Sequence, residues 1–146
     1  METQLVVFRL ANEDFGVPIG QVKEINRLVP ITSIPKAPPA VLGVINLRGR
    51  IIPVFSLRQR LGFDRGETDD ATRIVVAEVG SETIGFVVDA VTEVLRLEDT
   101  AIEPAPEGSG EIDSTFIRGI GKVDGRLIIV LDVEKVFGSA ELSEAS

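Results

Sequence analysis

This chain is written twice, and a duplicated chain has to fold as two related units packed together. Shifting residues 41–62 by 76 positions lays "VLGVINLRGRIIPVFSLRQRLG" on "IRGIGKVDGRLIIVLDVEKVFG". Gly43, Gly49, Arg50, Ile52, Val54 and Gly62 then meet identical residues. Shifting residues 5–28 by 69 lays "LVVFRLANEDFGVPIGQVKEINRL" on "IVVAEVGSETIGFVVDAVTEVLRL". Val6, Val7, Glu13, Gly16, Val22, Glu24, Arg27 and Leu28 match there. The difference between the two shifts falls in the linkers, where "VPITSIPKAPPA" is short and "EDTAIEPAPEGSGEIDSTF" is long. Residues 1–146 therefore read as one domain built from two half-copies, about 1–66 and 70–138. A unit of that size buries only about 60% of its unfolded surface, so each half needs the other.

Each copy has strand periodicity. "QLVVFRL" and "TRIVVAEV" are β-branched, partly alternating runs that end in polar turn residues. "DFGVPI" and "TIGFVVDAV" follow after a short turn, giving a hairpin. A second hairpin spans residues 44–55 and again 120–131, with Asp124-Gly125 the strongest two-residue turn signal in the chain. Each copy closes on a short helix, with Ser56 and Asp132 as N-caps and Gly62 and Gly138 just beyond the end. Many short strands and turns predict an all-β protein of small barrels rather than an open sheet. The repeat boundary does not have to be a barrel boundary, because strands can cross between lobes. "FGSAELSEAS" is expected to form a short C-terminal helix that frays into a disordered tail.

Composition removes whole classes of chemistry. The sequence has no His, Cys, Tyr or Trp, which takes away the commonest general base, the commonest metal ligand and the thiolate nucleophile. An enzyme is not expected, and no catalytic or metal-binding residue is assigned. No apolar run reaches the ~18 residues of a membrane span, and the first residues do not resemble a signal peptide. A soluble cytoplasmic protein without direct membrane insertion is the expectation. Residues 1–66 carry nine Lys/Arg and five Asp/Glu, whereas residues 67–146 carry six and eighteen. The basic half is too modest, and too poor in stacking aromatics, for nucleic acid. Complementary ends suit steered docking between proteins.

Arg48 is the residue that stands out. It holds the turn position that Asp124 fills in the other copy, where Asn or Asp is favoured because it tolerates positive φ. Arginine gains nothing locally there, so its side chain is expected to serve a partner. Arg50 is repeated as Arg126, which points to a structural role with the aliphatic stem covering a barrel end. Val22 and Glu24 recur as Val91 and Glu93, so repetition alone favours Val in a core and Glu in solvent. Gly43 with Gly119, and Gly16 with Gly85, read as backbone requirements rather than ligand-binding glycines. "RGIGKVDG" lacks the spacing of a phosphate loop, and neither "DRGETDD" nor the acids from Glu98 to Asp113 follow an EF-hand ligand order. Asp89, an acid inside the apolar run "FVVDAV", is expected to make a strand-end hydrogen bond.

"QVKEI", "VLGVINLRGRIIPVFSLRQRLG", "IGFVVDAVTEVL", "IEPAP" and "FIRGIGKVDGRLIIVLDVEKVF" together resemble the CheW adaptors of bacterial chemotaxis, over nearly the whole chain. The resemblance implies two packed SH3-like five-stranded β-barrel lobes, no catalysis and no cofactor. It implies two partners, the regulatory domain of the histidine kinase CheA and the cytoplasmic helical hairpin of a chemoreceptor. The hairpin is expected in the groove between the barrels, and the protein in the cytoplasm, recruited to receptor arrays through its partners. Val22, Glu24, Asn46 and Arg48 match positions tied to receptor binding in the family, and Gly43 and Gly49 are the glycines of the same segment. Gly85, Val88 and Asp89 match the characteristic run of the second barrel, as partner contacts or as structure. Ser56 departs from the Asp often found there; both residues cap a helix, so no functional consequence is expected. The regulatory domain of CheA and the CheW-like part of CheV share the fold, and the absence of a receiver domain or kinase core disfavours both. A rival of another class is a barrel, or an enzyme, that binds cations or a small ligand through the acids of the second half.

Overall fold

A computed structural model of the chain describes residues 1–105, 112 and 114–138. In chain order the strands are β1 (Glu2–Leu10), β2 (Glu13–Pro18), β3 (Val22–Arg27), β4 (Val41–Leu47) and β5 (Arg50–Ser56), followed by helix α1 (Leu57–Arg60). The second copy runs β6 (Arg73–Val79), β7 (Glu82–Val88), β8 (Ala90–Glu98), β9 (Ile102–Glu103), β10 (Ile117–Val123) and β11 (Arg126–Leu131), followed by α2 (Val133–Val136). The tail proposed as a C-terminal helix lies outside the described residues from position 139 onward.

Two sheets form, in the orders β8-β1-β2-β11-β10-β9 and β3-β6-β7-β5-β4. Neither is built from one copy. Each takes the first two strands of one half and the later strands of the other. The sheet of residues 22–88 is an inserted lobe, and the chain on both sides of it makes a terminal lobe. The exchange is the same in both directions. Val7 faces Glu93 across β1 and β8, and Val76 faces Glu24 across β6 and β3, each beside a break in register. The parallel pairings match as well, Val130 with Gly16 and Val54 with Gly85.

Each sheet curls until the chain leaving its edge strand returns to the opposite edge. In the inserted lobe Thr32 and Val44 exchange two backbone hydrogen bonds of 2.9 Å, joining the segment after β3 to β4. In the terminal lobe the same closure has grown into β9, which pairs with β10 at Glu103 and Ile120. The terminal lobe therefore has six strands where five were expected, and the sixth is only two residues long.

Burial explains why β1 and β6 are nearly continuous apolar runs. Leu5 and Val7 point into the interior of the terminal lobe, with Ile128 and Val130. Val6, Phe8 and Leu10, on the other face, enter a core shared by the lobes. Likewise Ile74 and Val76 fill the inserted lobe while Val75, Ala77 and Val79 join the shared core. A strand buried on both faces loses the clean alternation of a half-exposed one. Aromatic rings line the seam. Phe8 stacks on Phe15 at 6.1 Å and meets Phe86 at 6.0 Å, and Phe137 lies 5.4 Å from Phe86 and 5.1 Å from Phe55. Rings from both lobes thus form one row, and such contacts contribute beyond their buried area.

Both predicted caps are present. Ser56 Oγ accepts from Gln59 N at 3.2 Å, and Asp132 Oδ1 accepts from Glu134 N and Lys135 N at 3.1 and 3.4 Å. Serine at position 56 therefore does the capping that Asp does at 132.

Candidate functional site

The β4–β5 turn is the starting point. A two-residue hairpin turn matching the twist of its strands needs φ above zero at both central residues. Arg48 takes φ +52° and Gly49 +89°, and Asp124 and Gly125 repeat this at +48° and +79°. Arginine thus occupies a left-handed position it does not favour. Asn46 steadies the turn, its Oδ1 accepting from Gly49 N at 2.8 Å. The turn throws the Arg48 side chain outward, where it is 70% exposed.

The guanidinium leans over β3. Arg48 Nη2 donates to Glu24 Oε1 at 2.5 Å, and this bond holds the Glu24 carboxyl below the usual glutamate range. Together they edge a cleft of about 400 Å³ in the inserted lobe. Leu47, Ile52 and Val76 give the cleft an apolar lining, and Glu24, Arg48 and Arg50 a charged one. Lys23 also faces it and pairs with Glu78 at 3.2 Å. An open, mostly cationic cleft with one acid can grip an amphipathic partner; it lacks any nucleophile held against a base. All of its lining comes from the inserted lobe, so this cleft is distinct from a groove between the barrels.

The other singled-out residues divide into framework and junction. Val22 is half-buried against the shared core. Gly43 has φ +148°, and a Cβ there would fall 2.1 Å from the Thr32 carbonyl oxygen, in the bridge that closes the inserted lobe. Gly49 has open space around it and serves the turn. Gly85 lies in β7, where a Cβ would meet Ile74 Cγ2 at 3.0 Å, and Val88 is fully buried in the shared core.

Asp89 joins the lobes. Its carboxylate accepts from Arg58 Nε at 2.9 Å and Nη2 at 2.6 Å, and from Ala11 N at 3.0 Å in the β1–β2 turn. Its own N–H donates to Arg9 O at 3.0 Å. Burial pushes the Asp89 carboxyl up, but the bonds from Arg58 and Ala11 outweigh it and leave the group below the usual aspartate range. The same pairing raises Arg58. Beside Asp89 lies a cavity of about 340 Å³ with Leu28, Pro30, Ile31, Leu42 and Val87 in its wall.

Sequence reasoning missed Arg58, because its partner lies in the other copy and has no repeat equivalent: Gly20 stands at the position matching Asp89. Nor does the repeat of Arg50 as Arg126 extend to their partners. Arg126 bridges two carboxylates, Glu93 at 2.9 Å and Asp14 at 3.3 Å, whereas among the described residues Arg50 reaches only Thr83 Oγ1 at 3.5 Å. Repetition of the residue did not carry its partners with it. Among the described residues no three acidic side chains gather as a metal site, and no helix is long and apolar enough to cross a membrane.

Known proteins match over nearly the whole chain. The CheW-like domain family matches residues 4–141. The probable chemotaxis protein CheW of Rhizobium etli is 38% identical over 145 residues, covering 99% of this chain and 93% of the relative. The chemotaxis protein CheW of Rhizobium meliloti is 38% identical over 142 residues, covering 97% and 92%. The crystal structure of the scaffolding protein TtCheW from Thermoanaerobacter tengcongensis superposes with a TM-score of 0.87 at 38% identity. That match covers 97% of this chain and 91% of the other. The duplicated sequence, the exchanged sheets and these matches place the chain in one family: it belongs to the CheW-like domain family.

Proposed function

We propose that this protein is a non-catalytic chemotaxis adaptor that couples the cytoplasmic tips of chemoreceptors to the histidine kinase CheA. The two lobes act as one domain, free of cofactor, in the cytoplasm, and reach the receptor array through their partners. The receptor's helical hairpin is the partner of the inserted-lobe cleft. Glu24 and Arg48 contact it, Asn46 and Gly49 set the turn, and Val22 and Gly43 hold the strands beneath. Val88 and Asp89 act at the lobe junction and Gly85 inside the inserted lobe, all three as structure. The regulatory domain of CheA docks elsewhere, lobe against lobe, in a heterologous contact that can close into rings. Individual contacts are weak, and the array gains strength by multivalency.

The observation that carries this reading is Arg48 itself. A side chain 70% exposed, on a left-handed backbone unfavourable to it, contributes little to the fold. Exposed ion pairs such as Arg48 with Glu24 add little stability. The Arg48→Glu variant should lose co-sedimentation with receptor-containing membranes while its melting temperature stays within a degree or two of wild type. Equal co-sedimentation of variant and wild type would remove Arg48 from the contact.

A further inference from the structure

The two lobes give an internal control for every residue of the cleft. In the terminal lobe Arg126, Glu93 and Asp14 form a closed set, and the two carboxylates raise the guanidinium above its ordinary value. The inserted-lobe counterparts are Arg50, Glu24 and Thr83. Two changes open that set. Thr83 replaces the Asp14 carboxylate with a hydroxyl, and Glu24 turns away to Arg48. Lys23 and Arg48 each have an acid, but among the described residues Arg50 meets none. An exposed guanidinium with five donors, on a cleft beside apolar Ile52 and Val76, is shaped for a planar acceptor.

We propose that Arg50 is a second recognition residue of the cleft and binds a side-chain carboxylate of the helical partner. This inference rests on the receptor reading above and assigns that partner's chemistry: an acidic residue set beside the apolar stripe of its helix. Charge complementarity supports it, because three cations line the cleft against one acid, and Glu24 and the neighbouring Glu78 engage Arg48 and Lys23 but not Arg50. A charged pair formed only on binding acts on affinity and specificity rather than on the stability of the free protein.

The test uses the full chain and a soluble chemoreceptor cytoplasmic fragment containing the tip hairpin, with binding followed by calorimetry. Arg50→Gln should weaken binding about five- to tenfold and leave the melting temperature unchanged, whereas Arg126→Gln should lower the melting temperature. Thr83→Asp installs the carboxylate that the terminal lobe has at Asp14. It should weaken binding comparably without destabilising the fold, by giving Arg50 an internal partner. Neutralising the acidic residues of the hairpin one at a time should reveal one whose loss has no further effect in the Arg50→Gln background.

Wild-type binding by Arg50→Gln and Thr83→Asp, with binding lost in Arg48→Glu, would overturn this inference and leave the receptor reading intact. Undiminished binding by Arg48→Glu as well would overturn both. A loss of thermal stability in Arg50→Gln equal to that in Arg126→Gln would return Arg50 to a structural role.

Discussion

Around Glu93 the terminal lobe spends its charges on itself: Arg126 draws in Glu93 and Asp14, and Asp124 completes a turn that suits it. Around Glu24 the inserted lobe keeps the same strands, the same register break and the same turn angles, yet arranges the charges outward. Three cations face its cleft against one acid; at the matching positions of the terminal lobe one cation stands among three acids. The backbone is common to both, so the difference lies in four side chains: Lys23, Arg48 and Thr83 where the other lobe has Thr92, Asp124 and Asp14, and Glu24 with a new partner. A duplicated fold can thus close the charges of one lobe on themselves and leave those of the other facing a cleft, without altering its strands.

The comparison breaks most easily at the glycines. Gly43→Ala puts a methyl group onto the Thr32 carbonyl at a φ that side chains rarely adopt, and should cost about 3 kcal/mol. Gly119→Ala, its counterpart, meets Ile102 Cγ2 at 2.6 Å and Glu103 O at 3.0 Å without the unfavourable φ. The closest clash is with a side-chain methyl that can shift, and Glu103 O has to give by only a few tenths of an ångström, so about 1–2 kcal/mol is expected. Urea denaturation of the two variants measures the difference, and equal losses would mean that the two closures are mechanically alike.

A smaller effect sharpens the asymmetry at the junction. Asp89 ties Arg58 of the inserted lobe to the β1–β2 turn of the terminal lobe, while the matching position in the first copy is Gly20. Asp89→Asn should cost about 1–2 kcal/mol at neutral pH, at the low end for a charged hydrogen-bonded group because the pair is partly solvated. The Asp89 carboxyl is depressed below its ordinary 3.8 in the folded protein, so its contribution is fully present above that pH. It is lost as pH falls through the folded value. The gap in urea midpoint between wild type and Asp89→Asn should therefore close only below about pH 3.8. A gap that closes already near pH 6 would assign the effect to another group.

The sequence carried the repeat, the strand content, both helix caps and the paired turns, because each depends on residues close in the chain. Ser56 and Asp132 cap where local chemistry put them, and Asp124-Gly125 turns as its residues require. The exchange of strands between copies was open in the sequence, since β1 and β6 carry the same apolar pattern and either partner satisfies it. Arg48 was legible as an anomaly: a repeat makes an unsuitable residue visible by printing the suitable one beside it. Arg50 shows the mirror-image limit of the same comparison. Its identity repeats in Arg126, but Thr83 stands where the terminal lobe has Asp14, distant in sequence, and the β5–β7 pairing brings Arg50 and Thr83 together. Arg58 escaped notice because a charged residue on a short helix looks like any solvated arginine until the fold delivers Asp89 to it.

Whether the Glu24–Arg48 pair serves a partner rather than the fold is tested most directly by a charge reversal. The double variant Glu24→Arg with Arg48→Glu keeps an ion pair across the cleft but inverts its polarity. Titrated with a chemoreceptor tip fragment, it should melt like wild type and fail to bind. Wild-type affinity in the reversed protein would contradict the account, for it would mean that the pair only has to close upon itself.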